Sequence, residues 1–557
     1  MQKLGTQDYI VFLIYFVIVA AYGYWVYYKK KKALADSKDF FLAEGALTWW
    51  AIGASLIASN ISAEQFIGMS GSGFKMGLAI ATYEWMAAAT LLVVAIFFMP
   101  IYLKNKIFTM PQFLRQRYNE TVSTIMAVFW LLLYVVVNLT SILFLGALAV
   151  STISGIDFWV CMTGLAVFAI VITLGGMKVI GYTDVIQVFF LILGGLATTY
   201  LALNLVSEHY NTTGVLNGMS LMFEHADDHF HMVFDESNRN YLDLPGLSIL
   251  IGGLWSVNLN YWGCNQYITQ RALGADLPTA RNGILFAAFL KLIMPIIVVL
   301  PGIAAYVLHQ EGMFQSEMMM GSEINPDRAY PVLLNLLPVG LKGLAFAALT
   351  AAIVASLAGK ANSISTIFTL DLYKKYFNPA ASEKQLVSVG KIAIFVSMAL
   401  AMVIAPFMGI DKKGGFQYIQ EYTGFVSPGI FAIFILGFFW KRTTSTAALV
   451  GAIIVFPLSL MLKFLPKWVD LSWLGDYGFA VLNPESALFE IPFIDRMGFV
   501  FLFVVAVMVV ISLADKNSKN NPKGLEIDAE MFKPKGAFAI GAALVVGILT
   551  ALYIIFW

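Results

Sequence analysis

Ala58-Ser-Asn-Ile-Ser-Ala-Glu-Gln65 is the stretch that decides the fold. It sits inside an apolar run, 47–72, long enough to cross a bilayer, and Gly68, Gly71 and Gly73 follow it. Hydrocarbon offers no hydrogen-bond partner, so amides, hydroxyls and a carboxylate at that depth must face protein or a water-filled cavity. Glycine-punctuated polar segments inside a span are expected where a helix breaks at mid-membrane and frees backbone carbonyls for a cation. A second stretch of the same character, Ser256-Val-Asn-Leu-Asn-Tyr-Trp-Gly-Cys-Asn-Gln266, lies in the apolar run 247–272. Polar residues can also simply glue helices together. Two such stretches in corresponding places favour paired broken helices.

Working outward, about fourteen stretches reach spanning length. They fall at 9–28, 47–72, 78–104, 121–152, 157–175, 183–205, 247–272, 281–308, 340–373, 386–408, 417–440, 445–464, 496–514 and 536–556. The composition agrees: of 557 residues, 59% are hydrophobic and only 12% charged, too few charges to cover a soluble domain of this size. A formal net charge of +1 leaves no broad basic face for nucleic acid. The two cysteines, Cys161 and Cys264, lie in apolar runs and form no disulfide framework. The first run lacks a small-residue cleavage site and its positive cluster follows it, so it reads as a retained span, not a leader.

Lysine and arginine set the orientation. With the N-terminus outside, inner loops carry Lys29–Lys32, Lys38, Lys104, Lys106, Arg115, Arg117, Lys178, Arg271, Arg281, Lys374, Lys375, Lys441, Arg442 and the cations of 515–535. The connection near 206–246 faces outward, with seven carboxylates against Arg239. The expected topology is therefore N-out and C-out. Spans 2–6 and 7–11 form two five-helix units, and because five is odd the second enters from the opposite side, as an inverted repeat must. Approximate boundaries are 47–205 for the first repeat and 247–440 for the second, within core regions 47–272 and 281–440. An extra helix and inner loop, 1–46, precede them, and three extra helices, 441–557, follow.

Two isolated charges sit at membrane depth, Glu84 in span 3 and Lys291 in span 8. Each costs at least ~2.5–3.5 kcal/mol there unless paired or wetted. A structural Glu84–Lys291 bridge is one reading. The other is a solute site, since a carboxylate, an ammonium and amides such as Gln420 beside aromatic rings suit a sugar, whose hydroxyls donate and accept.

At these residues the chain resembles the sodium/solute symporter family, in its sodium–glucose cotransporter branch. The motifs are Gly53 to Gly73, Thr183-Asp-Val-Ile-Gln187, Asn265-Gln-Tyr-Ile-Thr-Gln-Arg271 and Gln417-Tyr-Ile-Gln-Glu-Tyr-Thr-Gly424, and the likeness runs from about Phe40 onward. The resemblance implies an all-α integral membrane protein of the LeuT type, with five plus five inverted helices, in the bacterial inner (plasma) membrane. It implies sodium-coupled symport of a galactose- or glucose-like hexose, with Na+ as coupling ion, the sugar and the lipid bilayer as partners, and no enzymatic activity. By the same resemblance Gln65, Glu84, Asn258, Lys291 and Gln420 hold the sugar and Tyr261 stacks on its ring. Asn60 and Trp262 stand beside that inner gate, while Met69, Tyr83 and Phe416 close the outer side. Sodium falls to the carbonyls of Ala58 and Ile61 with Ala352, Ala355 and Ser356, and Asp184 lies near its release route.

Three positions depart from the family pattern. Ala87 replaces a serine near the sugar. Ala355-Ser356 offers one hydroxyl where the family offers two. Lys360, four residues past Ser356 on the same helical face, can reach back toward it. There it can pair with Asp184, stand in for sodium, or snorkel to the cytoplasmic vestibule; as a stand-in it weakens coupling. No Gly-Lys-Ser/Thr phosphate loop, triad or metal-helix motif is present, which leaves ATP-driven transport without an engine. A sodium-independent or proton-coupled carrier and a sugar sensor remain as alternatives. The sensor reading calls for a long cytoplasmic domain, and the last span ends at Trp557.

Overall fold

The computed structural model describes residues 4–29, 47–320, 322–407, 415–525 and 527–557. The lysines expected at 30–32 and 38 lie outside the described residues. Among those described, ten helices are long and apolar enough to cross a membrane, and Phe158–Thr173 and Ser427–Phe439 are shorter apolar helices. Two small hairpins, Met319–Met320 with Glu323–Ile324 and Val481–Asn483 with Leu488–Glu490, are the strands found in the described residues of this helical protein.

Both polar stretches interrupt their helices. The first helix of span 2, Trp49–Asn60, stops where Ile61 turns to an extended conformation (φ −77°, ψ 115°), and helix resumes as a wide π-type segment, Glu64–Met69, running into Ser70–Met76. In span 7 the sequence 256–264 stays helical within Gly253–Cys264. The break falls one residue on, at extended Asn265 (φ −96°, ψ 127°), before Gln266–Leu273.

Close packing fixes where these broken helices sit. Trp49–Asn60 crosses Leu277–Val298 of span 8, and the contact is glycine against backbone: a Cβ on Gly53 would lie 2.6 Å from the Gly283 carbonyl, and one on Gly283 2.9 Å from the Trp49 carbonyl. Small residues are what allow two membrane helices to approach this closely. Leu341–Thr366 of span 9 is buried along nearly its whole length, packed between Trp49–Asn60 and the long helix Gly176–His209 of span 6. Thr6–Lys29, Phe493–Ala514 and Gly536–Ile555 instead expose apolar faces, including Ile14, Val17, Leu502 and Ile540. Apolar surface of that extent, on helices of spanning length, suits contact with lipid.

Polar anchors tie the outer helices to this core. Asp8 in the first turn of Thr6–Lys29 is buried and accepts from the backbone N–H of Gly5, Gly340 and Gly343, at 2.9, 2.7 and 3.0 Å, so it caps the start of span 9 as well as its own helix. Arg117, expected as an inner-loop cation, is buried: its guanidinium donates to the carbonyls of Gly437, Trp440, Lys441 and Thr443 and closes the C-terminal end of Ser427–Phe439. A helix C-terminus presents unpaired carbonyls and partial negative charge, which an arginine satisfies better than water. Asp8→Ala strands one buried and two half-buried donors, so it should lower stability by about 1–3 kcal/mol, read as a fall in the detergent unfolding midpoint.

Candidate functional site

Glu84 projects from the first turn of Thr82–Val93 and Lys291 from the middle of Leu277–Val298. The Lys291 Nζ lies 2.5 Å from Glu84 Oε2, both side chains are buried, and the same ammonium donates to Asn60 Oδ1 at the end of the broken helix. Asn60 in turn donates from Nδ2 to the Tyr261 hydroxyl at 2.9 Å. A continuous polar chain thus joins spans 3, 8, 2 and 7. The indole ring of Trp262 lies 5.2 Å from Lys291 Nζ, within cation–π range.

This chain forms one wall of an internal cavity of about 60 Å3. Asn60, Gln65, Tyr83, Glu84, Asn258, Tyr261, Trp262, Lys291, Phe416 and Gln420 all line it, as does Ala87. Met69 is fully buried in the same segment but is not among the lining residues. Tyr83 and Phe416 meet edge to face at 5.0 Å across one end, and Tyr261 packs at 5.1 Å from Trp262 and 5.7 Å from Tyr267 at another. Gln65 and Asn258 are partly engaged, Gln65 Oε1 by the Ser62 N–H and Asn258 Nδ2 by the Leu254 carbonyl. Pockets for small molecules are typically several hundred Å3, so the walls stand close together at this site.

Beside the cavity, the break in span 2 meets span 9. In an unbroken helix the N–H groups of Ser62 and Gln65 would satisfy the carbonyls of Ala58 and Ile61. Here Ser62 N–H donates to Gln65 Oε1 and Gln65 N–H to the Ser62 carbonyl. Both carbonyls are released from the helical ladder. Ser356 Oγ donates to the Ser59 carbonyl at 3.1 Å, which brings that hydroxyl to the break, and Ala352 and Ala355 are buried on the same helix. A hard cation takes several oxygens. The donor set suits sodium in kind, with Ala355 one hydroxyl short.

Two expectations are corrected at this point. Lys360 neither snorkels outward nor pairs with Asp184. It is buried, with Nζ 3.1 Å from Ser356 Oγ and 4.6 Å from the centroid of the Tyr267 ring, and it shares the cavity wall with Glu64. Arg271 is no inner-loop cation, because the short helix after Asn265 turns it into the core. Its Nε donates to the Ser55 carbonyl and hydroxyl at 3.1 and 2.9 Å, its Nη1 to the Tyr267 carbonyl, and Ser55 Oγ donates to Asp184 Oδ2 at 2.5 Å. Asp184 therefore answers to Ser55 and Arg271, one layer below Lys360. Glu64 and Tyr267, assigned no role from sequence, line the same cavity as Lys360. A polar residue inside the opening motif was the available signal for Glu64.

A multi-pass helical protein whose mid-membrane charges converge on a polar cavity between two broken helices is a secondary solute transporter in class. The model of the sodium:solute symporter family matches residues 40–455, and the chain belongs to that family. It is 47% identical over 562 residues to the sodium/glucose cotransporter of Vibrio parahaemolyticus, covering 100% of this chain and 99% of the relative. To the human sodium/myo-inositol cotransporter 2 it is 33% identical over 482 residues, 81% of this chain and 69% of that one. Among solved structures, a Na+-coupled sialic acid symporter aligns with a TM-score of 0.75, covering 92% of this chain and 98% of the other at 21% identity, a likeness of fold.

Removing one partner of a buried ion pair leaves an uncompensated charge. Lys291→Met should therefore destabilise by about 3–5 kcal/mol, and adding Glu84→Gln should recover much of that loss in a thermal unfolding assay.

Proposed function

We infer that the chain carries a galactose- or glucose-like hexose into the cell together with sodium, by alternating access around the cavity beside Lys291. The reading for the whole chain is fourteen spans, N-out and C-out. Five-helix repeats at about 47–205 and 247–440 follow one helix and its inner loop (1–46) and precede three helices in 441–557. The observation that carries it is the chain Glu84–Lys291–Asn60–Tyr261, which links four spans through side chains able to exchange their present partners for sugar hydroxyls. Membership of the family and the sodium/glucose cotransporter relative support both the cation and the solute class.

In this reading Glu84 accepts from hydroxyls, Lys291 and Asn60 donate, and Gln65, Asn258 and Gln420 complete a shell in which every buried polar group has a partner. Tyr261 offers a ring face to the pyranose, and Tyr83 and Phe416, with Met69 behind them, form the outer closure. Sodium, as cotransported substrate, takes the carbonyls of Ala58 and Ile61 with Ala352, Ala355 and Ser356, and leaves past Asp184. Drawing span 2 against span 9 orders the Asn60–Gln65 segment, the same segment that faces the sugar. Coupling then needs only that sodium bind the sugar-ready arrangement better than the other.

Labelled D-galactose and D-glucose in proteoliposomes provide the test, with an inward sodium gradient set against potassium and pH gradients. Sodium-driven accumulation is the expected result, and equal accumulation without sodium would replace symport with uniport or proton coupling. Tyr261→Ala should weaken sugar affinity on the order of tenfold, the scale of one aromatic contact, in an uptake-saturation measurement.

A further inference from the structure

Lys360 is a buried charged group that the transport cycle above does not use. It lies in Leu341–Thr366, buried, and its side chain lines the central cavity at the edge nearest span 9. Two contacts define its seat: the ammonium is 3.1 Å from Ser356 Oγ and stands over the Tyr267 ring at 4.6 Å. The carboxylate-bearing Glu64 lines the same cavity. Glu64 is itself held by the Ser141 hydroxyl, 3.4 Å from Oε1.

The link continues beyond Ser356, whose Oγ donates to the Ser59 carbonyl, the group next to Ala58 at the break in span 2. A positive charge on span 9 is thereby connected through one hydroxyl to the broken helix. That is the junction a bound cation would make between the same two elements. Beside Ser356, Ala355 has no hydroxyl to offer. Few side-chain oxygens and a resident positive charge act in one direction. Both disfavour a free cation and favour a tethered one.

We propose that Lys360 is a built-in competitor for the sodium seat, a tethered cation that joins span 9 to the break in span 2 and raises the sodium concentration needed to engage the site. When sodium takes Ser356, the ammonium must leave that hydroxyl, and Glu64 and the face of Tyr267 are the groups that keep it inside the protein. Two unit charges sharing one hydroxyl in a partly dry interior repel by more than a roughly tenfold change in affinity represents. The inference rests on the reading that sodium sits at Ser356, and it concerns this chain's sensitivity to the ion, not the solute.

The experiment uses the purified full-length protein in detergent. The unfolding midpoint is followed as sodium chloride replaces choline chloride at constant ionic strength, for wild type, Lys360→Met, and Lys360→Met with Glu64→Gln. The double variant removes both charges, so it covers the case in which an unpaired Glu64 prevents the single variant from folding. The half-saturating sodium concentration should fall by about tenfold or more in the variants, the least expected from removing a like charge at this range. Half-saturation equal to wild type overturns the proposal and leaves the symporter reading standing. A midpoint that ignores sodium in all three proteins overturns both. Sodium stabilisation without any labelled-sugar uptake counts against the sugar reading alone, because the sodium titration contains no sugar.

Discussion

An ammonium and a carboxylate at the centre of a membrane protein are sustainable only in each other's company. Lys291 and Glu84 come from different spans, and their pairing at 2.5 Å is possible because Thr82–Val93 and Leu277–Val298 pack side by side. Asn60 completes the ammonium's hydrogen bonds, so the end of the broken helix is held by the same charge. If the pair is broken, an unsolvated charge is left where neither water nor lipid can receive it. The geometry of the cavity depends on that arithmetic more than on any apolar contact around it.

The same constraint explains why the helix breaks do not unravel. A break strands backbone donors and acceptors, and each must find another partner at membrane depth. Gln65 takes the Ser62 N–H and Ser356 takes the Ser59 carbonyl. At the second break, Asn265 Oδ1 accepts from the Tyr134 hydroxyl at 3.1 Å, and that hydroxyl accepts from the Gln266 N–H, also at 3.1 Å. Side chains from neighbouring spans thus substitute for the missing turns. These substitutes can be exchanged for a solute or a cation at little net cost, and a gated site requires that property.

Charge is layered through the interior. The Lys291–Glu84 pair lies at the solute cavity, Lys360 sits on Ser356 beside the break, and Arg271 with Asp184 meets at Ser55 one turn of helix further along span 2. All three reach span 2, through Asn60, through Ser356 to the Ser59 carbonyl, and through Ser55. A shift of that one span therefore alters these three contacts together, which gives the solute, the cation seat and the inner layer a common mechanical element.

Much of this was legible in the residues alone. Apolar runs of spanning length, the polar interruptions at 58–65 and 256–266, and the isolated Glu84 and Lys291 followed from the intolerance of hydrocarbon for polar groups, which is written locally in the chain. Partner choice was not legible. By sequence Lys360 could reach Ser356, pair with Asp184 or snorkel outward, and only the packing of span 9 against span 2 seats it on Ser356 and gives Asp184 to Ser55 and Arg271. Arg117 and Arg271 looked like loop cations by position, because positive-inside reasoning counts charges without knowing which helix end will cover them. Sequence fixes which groups must be satisfied inside a membrane protein; which group satisfies which is settled by distances between helices far apart in the chain.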